Sequence, residues 1–126
     1  MKVEDAVTQS AGSSPLGTHQ FLDEFALAYH RAVAERLRND GASVLEHARR
    51  NIDRWAGGEG PGQGSARALE EWRKILDESD LNELIEVITD ASDEGQRLRS
   101  SSPFAGVLEP EKRLEILAAC EQRAVA

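Results

Sequence analysis

The sequence has few aromatic residues, a single cysteine and no long apolar run. Aromatics make up 5% of the 126 residues, which argues against a large aromatic-lined ligand cavity. Cys120 is the one cysteine, so no intramolecular disulfide can form, and a reducing, cytoplasmic setting is the default expectation. No stretch approaches the roughly 20 apolar residues that span a bilayer, and no apolar signal core follows Met1 and Lys2. We therefore expect no membrane partner.

Basic residues are also in short supply, with 15 Lys and Arg against 23 Asp and Glu and a net charge of −8. This balance disfavours non-specific binding to nucleic acid or anionic lipid. The excess is local, because residues 57–95 hold eleven acidic and three basic side chains. A solvated acidic face is the ordinary explanation, and a surface matched to a basic partner is the alternative. The helix predicted after Asp80 presents acidic side chains that DNA phosphates would repel, so no direct nucleic-acid contact is expected.

Apolar residues recur at three- and four-residue steps, and no segment shows the period-two alternation of strands. The spacing predicts helices at about 18–39, with Thr18 as N-cap, and 42–56, separated by a stop at residues 39–41. Further helices are predicted from Ser65, from residues 79–80, from residues 89–92 to about Arg99, and from residues 109–110. The fold prediction is an all-α compact bundle of five to six helices. The predicted inner stripes include Leu22, Phe25, Tyr29, Val33, Leu37, Val44, Ala48, Ile52, Trp55, Leu69, Trp72, Leu81, Leu84, Ile88, Leu114, Leu117 and Cys120.

Two segments break this helical pattern. Residues 1–16 are polar and contain Pro15, so we expect a flexible tail before a single helical domain at 17–126. Residues 57–65 hold five glycines and one proline, which predicts a mobile loop inside that domain. It is not a phosphate-binding loop, because no Gly-Lys-Ser/Thr follows it and no strand pattern precedes it.

Residues that could carry catalysis are present but are not suitably spaced. His19, His30 and His47 lie 11 and 17 residues apart, whereas a metal-binding helical pair is separated by three or four. The sequence contains no Glu-x-x-His and no G-x-S-x-G motif. We therefore expect a protein that is not an enzyme, with no catalytic, cofactor-binding or metal-ligating residues.

The segment from residue 96 to residue 104 is the strongest candidate for a contact surface. Its arginines and serine hydroxyls could bind phosphate or carboxylate, and its phenylalanine could anchor an interface. The alternative is a structural corner, in which Phe104 and Val107 tuck under the bundle. With two residues of the first helix added, the predicted partner-binding set is Tyr29, His30, Arg97, Arg99, Ser100, Ser101, Ser102 and Phe104.

Four segments together carry a family resemblance: HRAVAERLRND, LEHARRNIDRW, LEEWRKILD and LRSSSPFAGVLEPEKRLEI. They resemble small acidic all-helical bacterial antitoxins, which are encoded upstream of a toxin partner. The resemblance spans about residues 20–120, and its best-marked part runs from Arg97 to Pro110. It implies a cognate toxin, either a P-loop kinase of the zeta-toxin type or a nucleotidyltransferase-type toxin, whose active-site cleft the antitoxin covers.

The sequence is also compatible with two other functions. In the first, the chain is a self-associating helical adaptor or regulator that dimerises through an apolar edge containing Phe21 and Leu27. In the second, it is an enzyme subunit or a small nucleotide-binding protein that uses Arg97, Arg99 and the serine run as an anion site. A homo-oligomer or a hetero-oligomer with the toxin is compatible with the antitoxin hypothesis.

Overall fold

The computed structural model describes residues 15–59 and 65–125, and these residues form five helices and no strand. The helices are α1 (Pro15–Ala56), α2 (Ala66–Glu78), α3 (Leu81–Ile88), α4 (Asp93–Arg99) and α5 (Pro110–Val125). The all-α prediction is therefore confirmed. Residues 1–14 of the predicted tail and 60–64 of the predicted mobile loop lie outside the described residues.

Helix α1 is bent where the sequence predicted a stop. Asp40 has non-helical backbone angles (φ −153°, ψ 57°), and the helix resumes directly after it. The bend divides α1 into a first arm (15–39) and a second arm (41–56). The helix begins at Pro15, earlier than predicted, because proline is favoured in the first helical turn. Thr18 lies inside the helix, so its prediction as the N-cap was wrong.

The three middle helices begin at the capping residues that the sequence indicated. The side chains of Ser65, Asp80 and Ser92 each accept a hydrogen bond from a backbone amide of the first turn of α2, α3 and α4. At α3 the carboxylate of Glu83 accepts from the amide of Asp80 in return, which completes a capping box. Such caps satisfy amides that have no partner inside the helix, and each contributes about 1 kcal/mol.

The core forms around α1, which packs against each of the other four helices. Its two arms supply Tyr29, Val33, Ala34, Leu37, Val44, Ala48, Ile52 and Trp55, and the other helices add Leu69, Trp72, Leu76, Leu84, Ile85, Ile88 and Leu98. Residues between α4 and α5 complete it with Phe104, Val107 and Leu108. Cys120 of α5 is fully buried, as expected for a small apolar residue. Among the described helices, none combines the length and hydrophobicity needed to cross a bilayer.

Three residues of the predicted apolar stripes lie on the surface instead. Leu22, Leu81 and Leu114 are 54%, 40% and 59% exposed. Leu114 of α5 is exposed, whereas Cys120, six residues later in the same predicted stripe, is buried.

Candidate functional site

The predicted partner-binding residues divide into two groups in the structure. Tyr29, His30, Arg99 and Ser102 line one cleft, and Phe104 packs in the core close to His30 and Tyr29. Arg97 lies apart from them, against Glu71 of α2. Phe104 has no exposed area, so the prediction that it contacts a partner directly is corrected. Its burial agrees with the alternative prediction, in which Phe104 tucks under the bundle. Tyr29, His30 and Arg99 are also buried, although each contributes to the lining of the cleft.

The segment 100–109, which we call the corner, is held to α1 by side-chain hydrogen bonds. The amide of Asn51 donates to the carbonyl oxygens of Pro103 and Ala105, both at 2.9 Å. The hydroxyl of Tyr29 donates to the carbonyl oxygen of Phe104 at 2.9 Å. Both arms of α1 therefore hold the corner in place, and these contacts satisfy carbonyl groups that the bundle buries.

Two of the residues that hold the corner were not predicted to do so. Asn51 is 4% exposed, and the sequence shows it only as a polar residue beside the apolar positions 48, 52 and 55. His47 was interpreted as part of a polar helical face, and its Nε2 lies 3.0 Å from the carbonyl oxygen of Ala105. In the sequence, each of these residues appears only as a polar side chain next to an apolar stripe. That pattern does not show which distant residue the side chain binds.

His30 and Ser102 form an oriented pair at the edge of the cleft. His30 Nδ1 lies 2.7 Å from the carbonyl oxygen of Ala26, so Nδ1 carries the proton in the neutral ring. Nε2 then accepts from the Ser102 hydroxyl at 2.7 Å. The same hydroxyl oxygen accepts from the amide of Phe104 at 3.1 Å. These hydrogen bonds therefore connect α1, through His30, to Ser102 and Phe104 of the corner.

A serine beside a histidine is also the arrangement of a nucleophile and its base. Burial, partly opposed by the hydrogen bond to Ala26 and assisted by the nearby cation of Arg99, lowers the pKa of His30 from 6.5 to about 4. A general base works best when its pKa is close to the working pH. His30 is too weak a base to take the hydroxyl proton efficiently at neutral pH, so the geometry favours a structural pair.

The lowered pKa of His30 predicts that stability falls on mild acidification. Between pH 6.5 and about 4 the unfolded chain binds a proton that the folded chain does not. Lowering the pH through this window therefore lowers the free energy of unfolding, by roughly 2 kcal/mol between pH 7 and pH 5. Urea denaturation at a series of pH values measures this slope.

His30→Gln should flatten that slope, and His19→Gln is the matched control on the exposed beginning of the same helix. We expect the control to keep the wild-type slope. Equal slopes in the wild type and in His30→Gln would contradict the assignment of a buried neutral histidine.

Arg97 is occupied by carboxylates and is not free to bind an external anion. Its guanidinium donates to both carboxylate oxygens of Glu71, at 3.1 and 2.8 Å, and to both of Glu94, at 2.9 and 2.7 Å. These hydrogen bonds hold the pKa of Glu71 and that of Glu94 below their usual values. The proposed anion site of Arg97 with the serine run is therefore not assembled.

The hydroxyls of Ser100 and Ser101 are also engaged locally. Ser100 Oγ donates to the carbonyl oxygen of Arg97 at 2.6 Å, and Ser101 Oγ lies 3.5 Å from that of Leu98. They complete the last turn of α4, where carbonyl groups lack helical partners. Their part in the structure is to end α4, and only Ser102 of the three faces the cleft.

Arg99, two residues along α4, has a different environment. It is 6% exposed, and its Nη1 donates to the carbonyl oxygens of Ile88 at 3.3 Å and Asp90 at 2.6 Å. Burial lowers the pKa of its guanidinium. Its Nε is buried and has no hydrogen-bond acceptor in the described part of the chain. Among the described residues no carboxylate oxygen lies within 4.0 Å of Arg99, and burying a cation without such a direct partner is costly.

No group of three or more histidine, cysteine, aspartate or glutamate side chains in residues 15–59 and 65–125 is placed to share a metal ion. Comparisons of the chain with protein-family models, with curated proteins and with solved structures found no match.

Proposed function

We propose that this chain is a non-catalytic binding protein that neutralises a toxin-like partner by covering a basic active-site cleft, as the antitoxin resemblance implies. The observation that carries the proposal is the acidic surface, by which we mean the exposed carboxylates of residues 57–95. Ten of the eleven acidic side chains in this segment are exposed, and Glu71 is half-buried.

Several of these carboxylates are available to a partner. Asp77 pairs with Arg49 at 2.7 Å, and Arg97 occupies Glu71 and Glu94. Within the described ranges, no basic side chain lies within 4.0 Å of Glu70, Glu78, Glu86 or Asp93. Such a surface is complementary to a cleft that binds nucleotide or nucleic acid, because these clefts are positively charged.

An exposed apolar residue lies among these carboxylates in the chain. Leu81 begins α3 and is 40% exposed, and Asn82, Glu83 and Glu86 on the same helix are exposed as well. Protein interfaces combine an apolar centre with a polar rim. Leu81 is therefore the residue of this surface that we expect to be buried when the partner binds.

Co-expression with the protein encoded by the neighbouring gene tests this function. We expect that protein alone to stop growth, and we expect this chain to restore growth and to co-purify with it as a stable complex. A neighbouring gene product that is harmless alone, or that does not bind this chain, would contradict the proposal.

A self-associating adaptor is the second candidate, and exposed apolar side chains favour it. Phe21 and Leu27, the predicted dimer edge, are half-buried, whereas Leu22 and Leu114 are more than half exposed. A second copy of the chain could cover them. Light scattering distinguishes this function, because a strict monomer at high concentration would count against it and would leave the antitoxin proposal intact.

A further inference from the structure

A cleft lies between the first arm of α1, the corner and α5, and we call it the corner cleft. Its volume is about 240 Å³. This is smaller than the roughly 300–1,000 Å³ of drug-sized ligand sites. The corner cleft therefore suits a small molecule or the end of a peptide.

The lining of the corner cleft combines positive charge with apolar surface. Arg99 and Arg113 are its two cations, and none of its lining residues is a carboxylate. The guanidinium of Arg113 lies 5.2 Å from the centre of the Phe25 ring, in a cation–π contact. Phe25 and Leu108 also line the cleft and provide apolar surface.

The hydrogen-bonding groups at this cleft differ in their availability. The hydroxyls of Tyr29 and Ser102 already donate within the protein. Arg99 uses Nη1 for two backbone carbonyl groups and its Nε is buried beneath the surface, so Nη2 is the group of Arg99 that remains for a ligand. Arginine binds a carboxylate best through two adjacent N–H groups. The donors that remain for a ligand are therefore those of two arginines.

Arg99 also borders a second cleft, of about 200 Å³, whose lining includes Asp23 and Glu24. Carboxylates on that side already complement the positive charge, so an anion has no reason to bind there. On the side of the corner cleft, no lining carboxylate balances the positive charge of Arg99.

We propose that the corner cleft binds a carboxylate carried on a small apolar group. The carboxylate would lie between Arg99 and Arg113, and the apolar group would pack on Phe25 and Leu108. A free organic acid and the C-terminus of a peptide share this chemistry. The site is separate from the acidic surface, so this proposal does not depend on the antitoxin function.

Titration of the ¹⁵N-labelled chain with hexanoate, followed by NMR, tests the site. We expect saturable shifts of the amide signals of Ala105, Gly106 and Leu108, which lie at the cleft. Hexanol, which has the same chain without the charge, and inorganic phosphate should produce no such shifts. A short peptide that ends in leucine, with a free or an amidated C-terminus, distinguishes the two sources of the carboxylate.

The matched variants are Arg113→Gln in the cleft and Arg67→Gln on the exposed surface of α2. Loss of one charge-assisted contact should weaken hexanoate binding roughly tenfold in Arg113→Gln, and Arg67→Gln should bind like the wild type. Arg113 is exposed, so this variant tests the site without removing the buried Arg99.

Three results would overturn the proposal. The first is that neither hexanoate nor the free-carboxylate peptide shifts the cleft signals. The second is that hexanol or phosphate shifts them as strongly as hexanoate does. The third is that Arg113→Gln and Arg67→Gln bind hexanoate equally well.

Discussion

Replacing Phe104 with alanine is expected to lower the free energy of unfolding by about 3–5 kcal/mol. The ring is fully buried and packs edge-on against Trp72, with ring centres 6.0 Å apart, and against His30 at 6.2 Å. Alanine would leave a cavity at the point where the corner enters the core. Urea denaturation followed by circular dichroism measures the loss.

Leu114→Ala is the control for that substitution. Leu114 is 59% exposed, so its truncation should change stability by no more than about 0.5 kcal/mol. If Phe104→Ala were as mild as Leu114→Ala, the corner would be a surface loop, and the corner cleft would lack the fixed wall that the structure gives it.

Gly95→Ala is the second substitution with a large expected effect, at about 3 kcal/mol or more. A Cβ at Gly95 would overlap the carbonyl oxygen of Asp90 and would lie 2.8 Å from its carbonyl carbon. Backbone atoms cannot move aside as the end of a flexible side chain can, so α4 would have to shift away from the end of α3. We expect a lower midpoint of thermal unfolding for this variant.

Gly41→Ala is the matched control, because the added Cβ would meet only a side-chain carbon of Leu81 at 3.9 Å, an ordinary contact. Alanine should be neutral there or stabilise the helix by up to about 1 kcal/mol. A Gly95→Ala variant as stable as Gly41→Ala would contradict the close approach of Gly95 to the carbonyl group of Asp90.

The helices could be predicted from the sequence because their ends depend on local chemistry. Ser65, Asp80 and Ser92 bond to amides only three residues away, and such contacts are visible in the order of residues. A stop at residues 39–41 was predicted for the same reason, and Asp40 does have non-helical backbone angles, although the helix resumes directly after it. Exposure of Leu22 and Leu114 was not predictable, since it depends on which parts of the fold pack beside them.

The candidate site was predictable only in part, because it depends on contacts between distant residues. Arg97 and Arg99 both belong to a short basic segment, and side chains two residues apart on a helix do not share a face. Arg97 reaches the carboxylates of Glu71 and Glu94, whereas Arg99 is buried. Nothing local distinguishes the two, and the hydrogen bonds from Asn51 to the corner span more than 50 residues.

The affinity of this chain for the product of the neighbouring gene, measured by calorimetry at low salt, tests the proposed function most directly. Glu78→Lys/Glu86→Lys reverses two charges of the acidic surface, and Glu111→Lys/Glu121→Lys reverses two exposed charges of α5. Both pairs change the net charge from −8 to −4. The proposal predicts roughly tenfold weaker binding for the first pair alone, and equal affinities for the two pairs would contradict it.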